Sequence, residues 1–270
     1  MEFIRSIASL VSNAALSPFS GHHALIGLIP LSILIGIGML WIFGQTSDQD
    51  AIRKAKGKLQ AHLYEMRLFT DEPVLIWKAQ RGLLAANARY IGLMLIPALV
   101  ASIPMVLVLT QLESFYGHSP LATGREAIVT VQMKGALPDT APALEAPEGI
   151  AVESPGIRIA GARQISWRIR ALHPVKGVLQ FVFPDRTIEK SILVAQGPRY
   201  FSARRVSSPF DLIWYPAEAR LSPSDVDWIE VRYPEATVHT LGMDVHWLIW
   251  LLALSMVSAL LLKRRFGVSF

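Results

Sequence analysis

The stretch SDQDAIRKAKGKLQAHLYEMRLFTDEP, Ser47–Pro73, decides the organisation of this chain, because it is charged and polar yet lies between two apolar runs. Ala24–Gly44 before it has 21 residues without a charge, and Tyr90–Leu112 after it has 23. At 1.5 Å of rise per residue, a helix of about 20 apolar residues crosses a hydrocarbon core of about 30 Å. The pattern therefore predicts two membrane spans joined by a soluble helical segment.

Residues 45–89 predict a helical hairpin. Ser47 or Asp48 is a suitable N-cap for the first arm, and Asp71 with Pro73 starts the second arm, since a proline at the first helical position needs no amide donor. The second arm continues without a breaker into the second span. Apolar residues at three- and four-residue spacing form a narrow seam on each arm: Ile52, Ala55, Leu59, His62, Met66 and Phe69 on the first, and Leu75, Ala79, Leu83 and Ala86 on the second.

Two glycines interrupt these arms, Gly57 and Gly82. Each costs about 1 kcal/mol relative to alanine in a helix interior. They fall at a similar height of the hairpin, so close approach of the two backbones is one explanation and chance is the other.

A third uncharged run, Val245–Leu262, has 18 residues and predicts a third span. The mean hydropathy of +0.38 and the charged fraction of 17%, against roughly 25% in soluble domains, agree with a membrane protein. Aromatic residues flank the runs, as is typical of the headgroup level. They are Trp41, Phe43, Tyr90, Phe115, Tyr116, Trp247 and Trp250.

The predicted fold class is a membrane α-helical protein with three transmembrane helices, a cytoplasmic helical hairpin and an extracytoplasmic antiparallel β-sandwich domain. Its order is an N-terminal segment at 1–23, spans at 24–44, 90–112 and 245–262, the hairpin at 45–89, the β domain at 113–244 and a basic tail at 263–270.

The basic residues predict the orientation. Eight Lys/Arg lie within residues 45–89, and Lys263, Arg264 and Arg265 follow the third run. Cytoplasmic loops carry an excess of Lys and Arg, so we expect a multi-pass protein of the bacterial cytoplasmic (inner) membrane with its N-terminus outside and its C-terminus in the cytoplasm. Anionic lipid headgroups and ribosomal RNA are both suitable partners for the basic hairpin, and composition leaves the two open.

The first 23 residues, MEFIRSIASLVSNAALSPFSGHH, are interpreted as an interfacial amphipathic helix. Phe3, Ile4, Ile7, Leu10 and Val11 fall near helical spacing, and serines recur between them. A cleaved signal peptide with a short apolar region is the alternative.

Residues 124–242 change to an alternating pattern, which is typical of short antiparallel strands separated by turns. In the run ISWRIRAL, we expect Ile165, Trp167 and Ile169 on the core face. A Pro/Ala-rich stretch, Leu137–Gly149, is expected to be a mobile loop. The predicted strand runs are AIVTVQMK, IRIA, QISWRIRAL, GVLQFVF, TIEKSILVA, YFSARRV, DLIWYP, VDWIEVRYP and ATVHTL.

No motif in this region argues for catalysis. His118, His173 and His239 are scattered along the sequence, and neither a nucleophile elbow, a zinc-protease motif nor a phosphate-binding loop accompanies them. The chain has no cysteine, which excludes disulfides and cysteine-based metal sites. We therefore expect no enzyme activity, no cofactor, no metal and no small-molecule substrate.

The order of span, charged helical hairpin, span, outer segment and last span with a basic tail resembles the YidC/Oxa/Alb insertase superfamily, particularly its three-span relatives. In the second span, Pro97 and Pro104 flank ALVASI within IPALVASIPMVLVLTQLESFYG, much as in a proline-containing stretch of that family. The chain is also similar to uncharacterised bacterial three-span proteins that share the AIRKAK…LQAHLYEMRLF…D hairpin. Unlike bacterial members of the superfamily, its spans contain no basic residue.

This resemblance implies a factor that assists membrane-protein insertion or assembly through a polar groove between its spans. The expected partners are the lipid bilayer, nascent membrane proteins or the ribosome at the hairpin, and an envelope protein at the β domain. The candidate groove residues are Ser32, Ser102, Thr110, Gln111, Ser255 and Ser258, and the candidate cytoplasmic contacts are Arg53, Lys54, Lys56, Lys58 and Arg81.

Two alternatives stay open at this point. Serine and threonine are ordinary at helix–helix interfaces in membranes, and Ser32 with Gly36 forms a small-xxx-small pair. The chain as a whole is alternatively a membrane-anchored scaffold or sensor without catalysis, whose β domain binds an envelope partner.

Overall fold

A computed structural model of the protein describes residues 12–20, 22–69, 72–222, 224–240 and 242–268. It consists of a helical region and a β domain. The chain divides into two compact units. One contains Leu107–Ile249 together with the chain up to Leu28, and the other contains Ile29–Val106 with the chain from Trp250.

Four helices follow the predicted order: α1 is Ala24–Thr46, α2 is Gln49–Leu68, α3 is Pro73–Tyr116 and α4 is Trp247–Leu262. Of the described helices, α1 and α3 are long and apolar enough to cross a membrane, while α4 is shorter. The third apolar run was predicted to begin at Val245, but that residue lies in a strand and α4 has only 16 residues. The predicted start was wrong because Val245 pairs with Val238 in a hairpin.

The predicted arms of the hairpin are confirmed as helices. Asp48 is the N-cap of α2, and its side chain accepts a hydrogen bond from the Ala51 amide at 2.9 Å. The second helix begins at Pro73 and continues for 44 residues, whereas Asp71, its predicted cap, lies outside the described residues. The predicted seam residues of α2 from Ile52 to Met66 are buried or half-buried, and so are all four on α3.

Gly57 and Gly82 differ in how much space surrounds them. A Cβ on Gly82 would lie 2.6 Å from the His62 ring, so α3 passes close to α2 at this point. No atom lies within 4 Å of the corresponding position at Gly57. Close approach therefore explains Gly82 and not Gly57.

The α1 and α4 helices also approach closely. A Cβ on Gly36 would collide with the Ser258 hydroxyl and would lie 2.8 Å from the Ser255 carbonyl oxygen. Ser32, one turn before Gly36, is fully buried. Small residues at such a contact let two helix backbones pack together without an intervening side chain.

The described residues of the β domain form eleven strands, and every pairing between two of these strands is antiparallel. Six form one sheet in the order β3-β5-β1-β9-β8 with β4 also on β5, three form the sheet β2-β6-β7, and β10 pairs with β11. The strands are β1 Glu126–Met133, β2 Ala143–Glu145, β3 Ile150–Val152, β4 Ile157–Ile159, β5 Gln164–Ala171, β6 Val175–Val182, β7 Thr187–Val194, β8 Arg204–Val206, β9 Val226–Val231, β10 Thr237–Thr240 and β11 Met243–His246.

One cluster of buried apolar side chains draws on both larger sheets. Ile165, Trp167 and Ile169 of β5 face it, as the alternation predicted, and each is at most 2% exposed. The Trp167 ring meets Phe181 of β6 edge to face, with 5.3 Å between ring centroids.

Two local predictions about the β domain were wrong. The run DLIWYP forms a 3-10 helix, Asp211–Ile213, because i to i+3 hydrogen bonds close at Ile213 and Trp214. The stretch Leu137–Gly149 is not a free loop: β2 pairs with β6, and Leu144 packs on the core.

The aromatic residues at the outer helix ends were expected at the headgroup level, but three of them are buried. Phe115, Tyr116 and Trp247 are 1%, 2% and 2% exposed. Tyr116 meets Phe115 at 4.7 Å and Trp247 at 6.1 Å between ring centroids. Gly27 of α1 has no room for a side chain beside the Tyr116 hydroxyl. The ends of α1, α3 and α4 are therefore joined through a small aromatic core.

The N-terminal segment is described only in part. Residues 12–16 are helical and a 3-10 turn, Ser17–Phe19, follows. Residues 1–11, which carry the predicted amphipathic pattern, lie outside the described part of the chain.

Candidate functional site

The hydroxyls predicted to line a groove hydrogen-bond within their own helices. Ser102 donates to the Leu99 carbonyl at 2.7 Å, and Thr110 donates to the Leu107 carbonyl at 3.0 Å. On α4, Ser255 donates to Leu252 at 3.0 Å and Ser258 donates to Ser255 at 2.8 Å. Such bonds satisfy a hydroxyl inside an apolar helix without any outside partner.

The six groove candidates are divided between the two compact units. Ser32 is buried and Ser258 lies at the Gly36 contact between α1 and α4, while Ser102 is exposed on α3. Gln111 belongs to the β-domain unit, where its side-chain oxygen accepts a hydrogen bond from the Tyr200 hydroxyl at 2.6 Å. The geometry at Gly36 favours the packing alternative for Ser258.

The candidate cytoplasmic contacts form an exposed basic surface on α2 and α3. Arg53 pairs with Asp50 at 2.9 Å, and both side chains are well exposed. The Arg81 guanidinium lies 5.3 Å from the centroid of the Trp77 ring. Exposed pairs of this kind contribute little stability. All five candidates, Arg53, Lys54, Lys56, Lys58 and Arg81, are exposed.

Four histidines line one cavity of about 270 Å³ in the β-domain unit. Two of them, His118 and His239, are far apart in the sequence, and the structure places both in the same cavity wall as His22 and His23. Phe115, Tyr116 and the first residue of α1 complete part of the wall. No local sequence signal pointed to this grouping, because more than 200 residues separate His23 from His239.

Hydrogen bonds hold the rings of His23 and His239 in place. His23 Nδ1 accepts from the Leu25 amide at 3.4 Å, and its Nε2 donates to the His239 carbonyl at 3.2 Å. The His23 ring thus links the first turn of α1 to the backbone of β10. His239 Nδ1 lies 3.0 Å from Asp244 on the opposite strand of its hairpin. Both rings serve as structural links at the base of the β domain.

A buried ion pair lies inside the β domain. Lys190 of β7 is fully buried, and its Nζ donates to Glu218 Oε2 at 2.6 Å and to the carbonyl oxygens of Ser202 and Ser191 at 2.8 and 3.0 Å. The Glu218 carboxylate, 13% exposed, also accepts from the Ser191 amide at 2.8 Å. The pair thus ties β7 to the segment that precedes β9.

Burial lowers the pKa of Lys190, and the Glu218 carboxylate offsets part of that effect. Sequence reasoning missed this residue, although a signal was present. In TIEKSILVA, Lys190 alternates in register with Ile188 and Ile192, so it occupies a core position of its strand.

Within the ranges that the structure describes, no group of three or more His, Asp or Glu side chains is placed to hold a metal ion. No family model, no curated protein and no solved structure matches the chain.

Proposed function

We propose that the protein is a three-span protein of the bacterial cytoplasmic membrane, with an extracytoplasmic β-sandwich and a cytoplasmic helical hairpin. The lengths and apolar character of α1 and α3 support this placement. The core cluster that both larger sheets share supports the sandwich. The basic excess on the hairpin and after α4 supports the orientation.

The third span is α4. Its 16 residues reach about 24 Å, which is shorter than a typical hydrocarbon core of about 30 Å. Lys263, Arg264 and Arg265 follow it directly, and long basic side chains can extend to the headgroups from such a position.

Its function, on this proposal, is to assist the insertion or assembly of other membrane proteins. The observation that carries this is the exposure of α3, because only 11% of its most apolar stretch of 18 residues is buried inside the protein. Leu95, Ile96, Leu99 and Ile103 are all more than half exposed. This surface is open to lipid and equally to an apolar client helix, which gains van der Waals contacts by packing against it.

The helical pair adds the second element of the proposal. Because α3 is one continuous helix from Pro73 to Tyr116, Arg81 of the exposed basic surface lies on the same helix as the apolar client surface, and the other four basic residues lie on the neighbouring α2. The basic surface would meet the ribosome or the nascent chain before the client reaches the membrane.

Depletion of the protein tests this function. We expect reduced insertion of a membrane client with a short translocated tail, and no rescue by a Lys54→Glu/Lys56→Glu/Lys58→Glu variant. The matched control is Arg125→Glu/Lys176→Glu/Arg232→Glu, which reverses three exposed charges of the β domain and should rescue. Normal insertion in depleted cells contradicts the proposal.

A photo-crosslinker on α3 tests the client surface directly. At Leu99 and Ile103, which are 59% and 67% exposed, we expect adducts with the client during its synthesis. At Ala101, which is 4% exposed, we expect none. Equal yields at the exposed and buried positions would argue against a client path along this face.

A membrane-anchored scaffold is the second candidate, and the close contact of Gly36 with Ser258 favours it. Helices that pack through small residues, with hydroxyls bonded inside each helix, suit an anchor. In that case crosslinkers on the β domain should capture a single envelope protein, and depletion should leave insertion unchanged.

A further inference from the structure

The segment SPFDLIWYP, Ser208–Pro216, presents two large aromatic side chains to the outside. Phe210 is 74% exposed and Trp214 is 53% exposed. Both belong to the connection between β8 and β9, in a part of the β domain whose other large aromatics mostly pack inward. Among the described residues of the β domain, these are the two exposed large aromatic side chains.

This segment is held in shape. Leu212, between the two aromatics, is 7% exposed and anchors it. The amides of Trp214 and Tyr215 both donate to the Asp211 carbonyl at 3.0 Å, and the Phe210 amide donates to the Ser208 hydroxyl at 3.2 Å. The outward direction of the aromatics is therefore built into the turn.

Its position relative to the end of α3 identifies the environment. Trp214 and Tyr215 line one cavity of about 190 Å³ with Glu113 and Ser114, which lie in the last turn of α3. Glu113 is the first charged residue after the apolar run that ends at Leu112. Trp214 therefore lies beside the point where that apolar run ends, and Phe210 belongs to the same hydrogen-bonded turn.

The two aromatic residues of α3 that were expected to face the headgroups here do not face outward. Phe115 and Tyr116 are buried in the aromatic core that joins the helix ends. On α3, Leu107 remains exposed about 9 Å before Glu113 along the helix axis, so the apolar surface continues up to this level.

We propose that Phe210 and Trp214 insert into the boundary between headgroups and acyl chains of the outer leaflet and anchor the β domain on the bilayer. Amphipathic aromatic rings favour this zone, and a rigid turn presents them there at little entropic cost. The inference rests on the membrane placement proposed above, and it adds a second attachment of the β domain besides its helices.

Single-cysteine spin labelling of the full-length protein in phospholipid nanodiscs tests it, because the natural chain has no cysteine. The variants are Phe210→Cys and Trp214→Cys. Leu99→Cys reports whether α3 is in lipid. Ile157→Cys, exposed on β4 and paired with β5 away from the β8 edge of the sheet, is the matched β-domain control.

For nitroxides at 210, 214 and 99, we expect a collision rate with lipid-soluble oxygen that is several-fold higher than the rate with a water-soluble nickel complex. For the nitroxide at 157, we expect the nickel complex to give the higher rate. In a second readout, Trp214→Phe should reduce the fraction of tryptophan fluorescence that brominated lipid quenches. Aqueous labels at 210 and 214 with a lipid-embedded label at 99 overturn this inference and leave the membrane placement intact. An aqueous label at 99 overturns the placement itself. Concentration-dependent spin–spin broadening at 210 would mean contact between copies and would also overturn the inference.

Discussion

Removing Glu218 should destabilise the β domain more than removing any exposed carboxylate. Lys190 Nζ and Glu218 Oε2 are 2.6 Å apart, and the lysine is fully buried. At an effective dielectric constant of 20, two unit charges at that distance attract by about 6 kcal/mol. Part of this is offset by the cost of removing both ions from water. The partial exposure of Glu218 lets water reach the ammonium in the variant, so we expect Glu218→Ala to cost about 3 kcal/mol.

The stability loss caused by Glu218→Ala should depend on pH, and the pKa of Lys190 determines the direction of that dependence. Burial already lowers the pKa of Lys190, and loss of the carboxylate lowers it further. Between that lowered value and the unfolded value of about 10.4, the unfolded chain binds more protons than the folded one. The stability of the variant should therefore rise with pH through this window, and the cost of Glu218→Ala should shrink as the pH rises towards the unfolded value.

The assay is urea unfolding of the full-length protein in detergent, followed by tryptophan fluorescence. Lys190→Met/Glu218→Ala removes both charges and should recover about 2 kcal/mol relative to Glu218→Ala. Glu126→Ala is the control, because its pair with Arg170 is nearly half exposed and should contribute far less stability than the buried pair. A loss equal to the control, or one that does not change with pH, would refute a buried charged lysine.

Two further predictions concern glycines at helix contacts. Gly36→Ala should lower the free energy of unfolding of the detergent-solubilised protein by about 1–3 kcal/mol, because the new methyl collides with Ser258. The control Gly38→Ala meets open space and should not destabilise. Equal losses for the two variants would contradict the close contact between α1 and α4. Gly57→Ala should add about 1 kcal/mol through helix propensity, while Gly82→Ala should gain less or lose stability in the same measurement, because the α2 histidine ring must shift to admit it. A larger gain at Gly82 than at Gly57 would contradict the close approach of the two arms.

The helices were predictable because their signals are local. A cap at Asp48, a proline at 73 and apolar seams depend only on neighbours within a turn or two, and the bounds of α2 and the start of α3 followed from them. The predicted start of α4 failed because Val245 reads as apolar in the sequence, whereas its partner in β10 decides that it is a strand residue.

The candidate sites were less predictable, because their contacts are distant in sequence. Gln111 looked like a groove residue of a span, but Tyr200 supplies its partner from the β domain. The serines of α4 looked like polar lining, but each hydroxyl bonds its own helix and Ser258 faces a glycine.

The division of the chain into apolar helices, a charged helical pair and an alternating β region was already present in the amino-acid sequence, because helix and strand periods and the length of an apolar run are properties of short windows. Which residues each element buries emerged only from the folded chain. Folding placed Lys190 in a core beside Glu218, gathered four histidines around one cavity, and buried Phe115 and Tyr116 while leaving Phe210 and Trp214 exposed. The physical reason is that burial depends on which distant surfaces meet, and no local pattern contains that information.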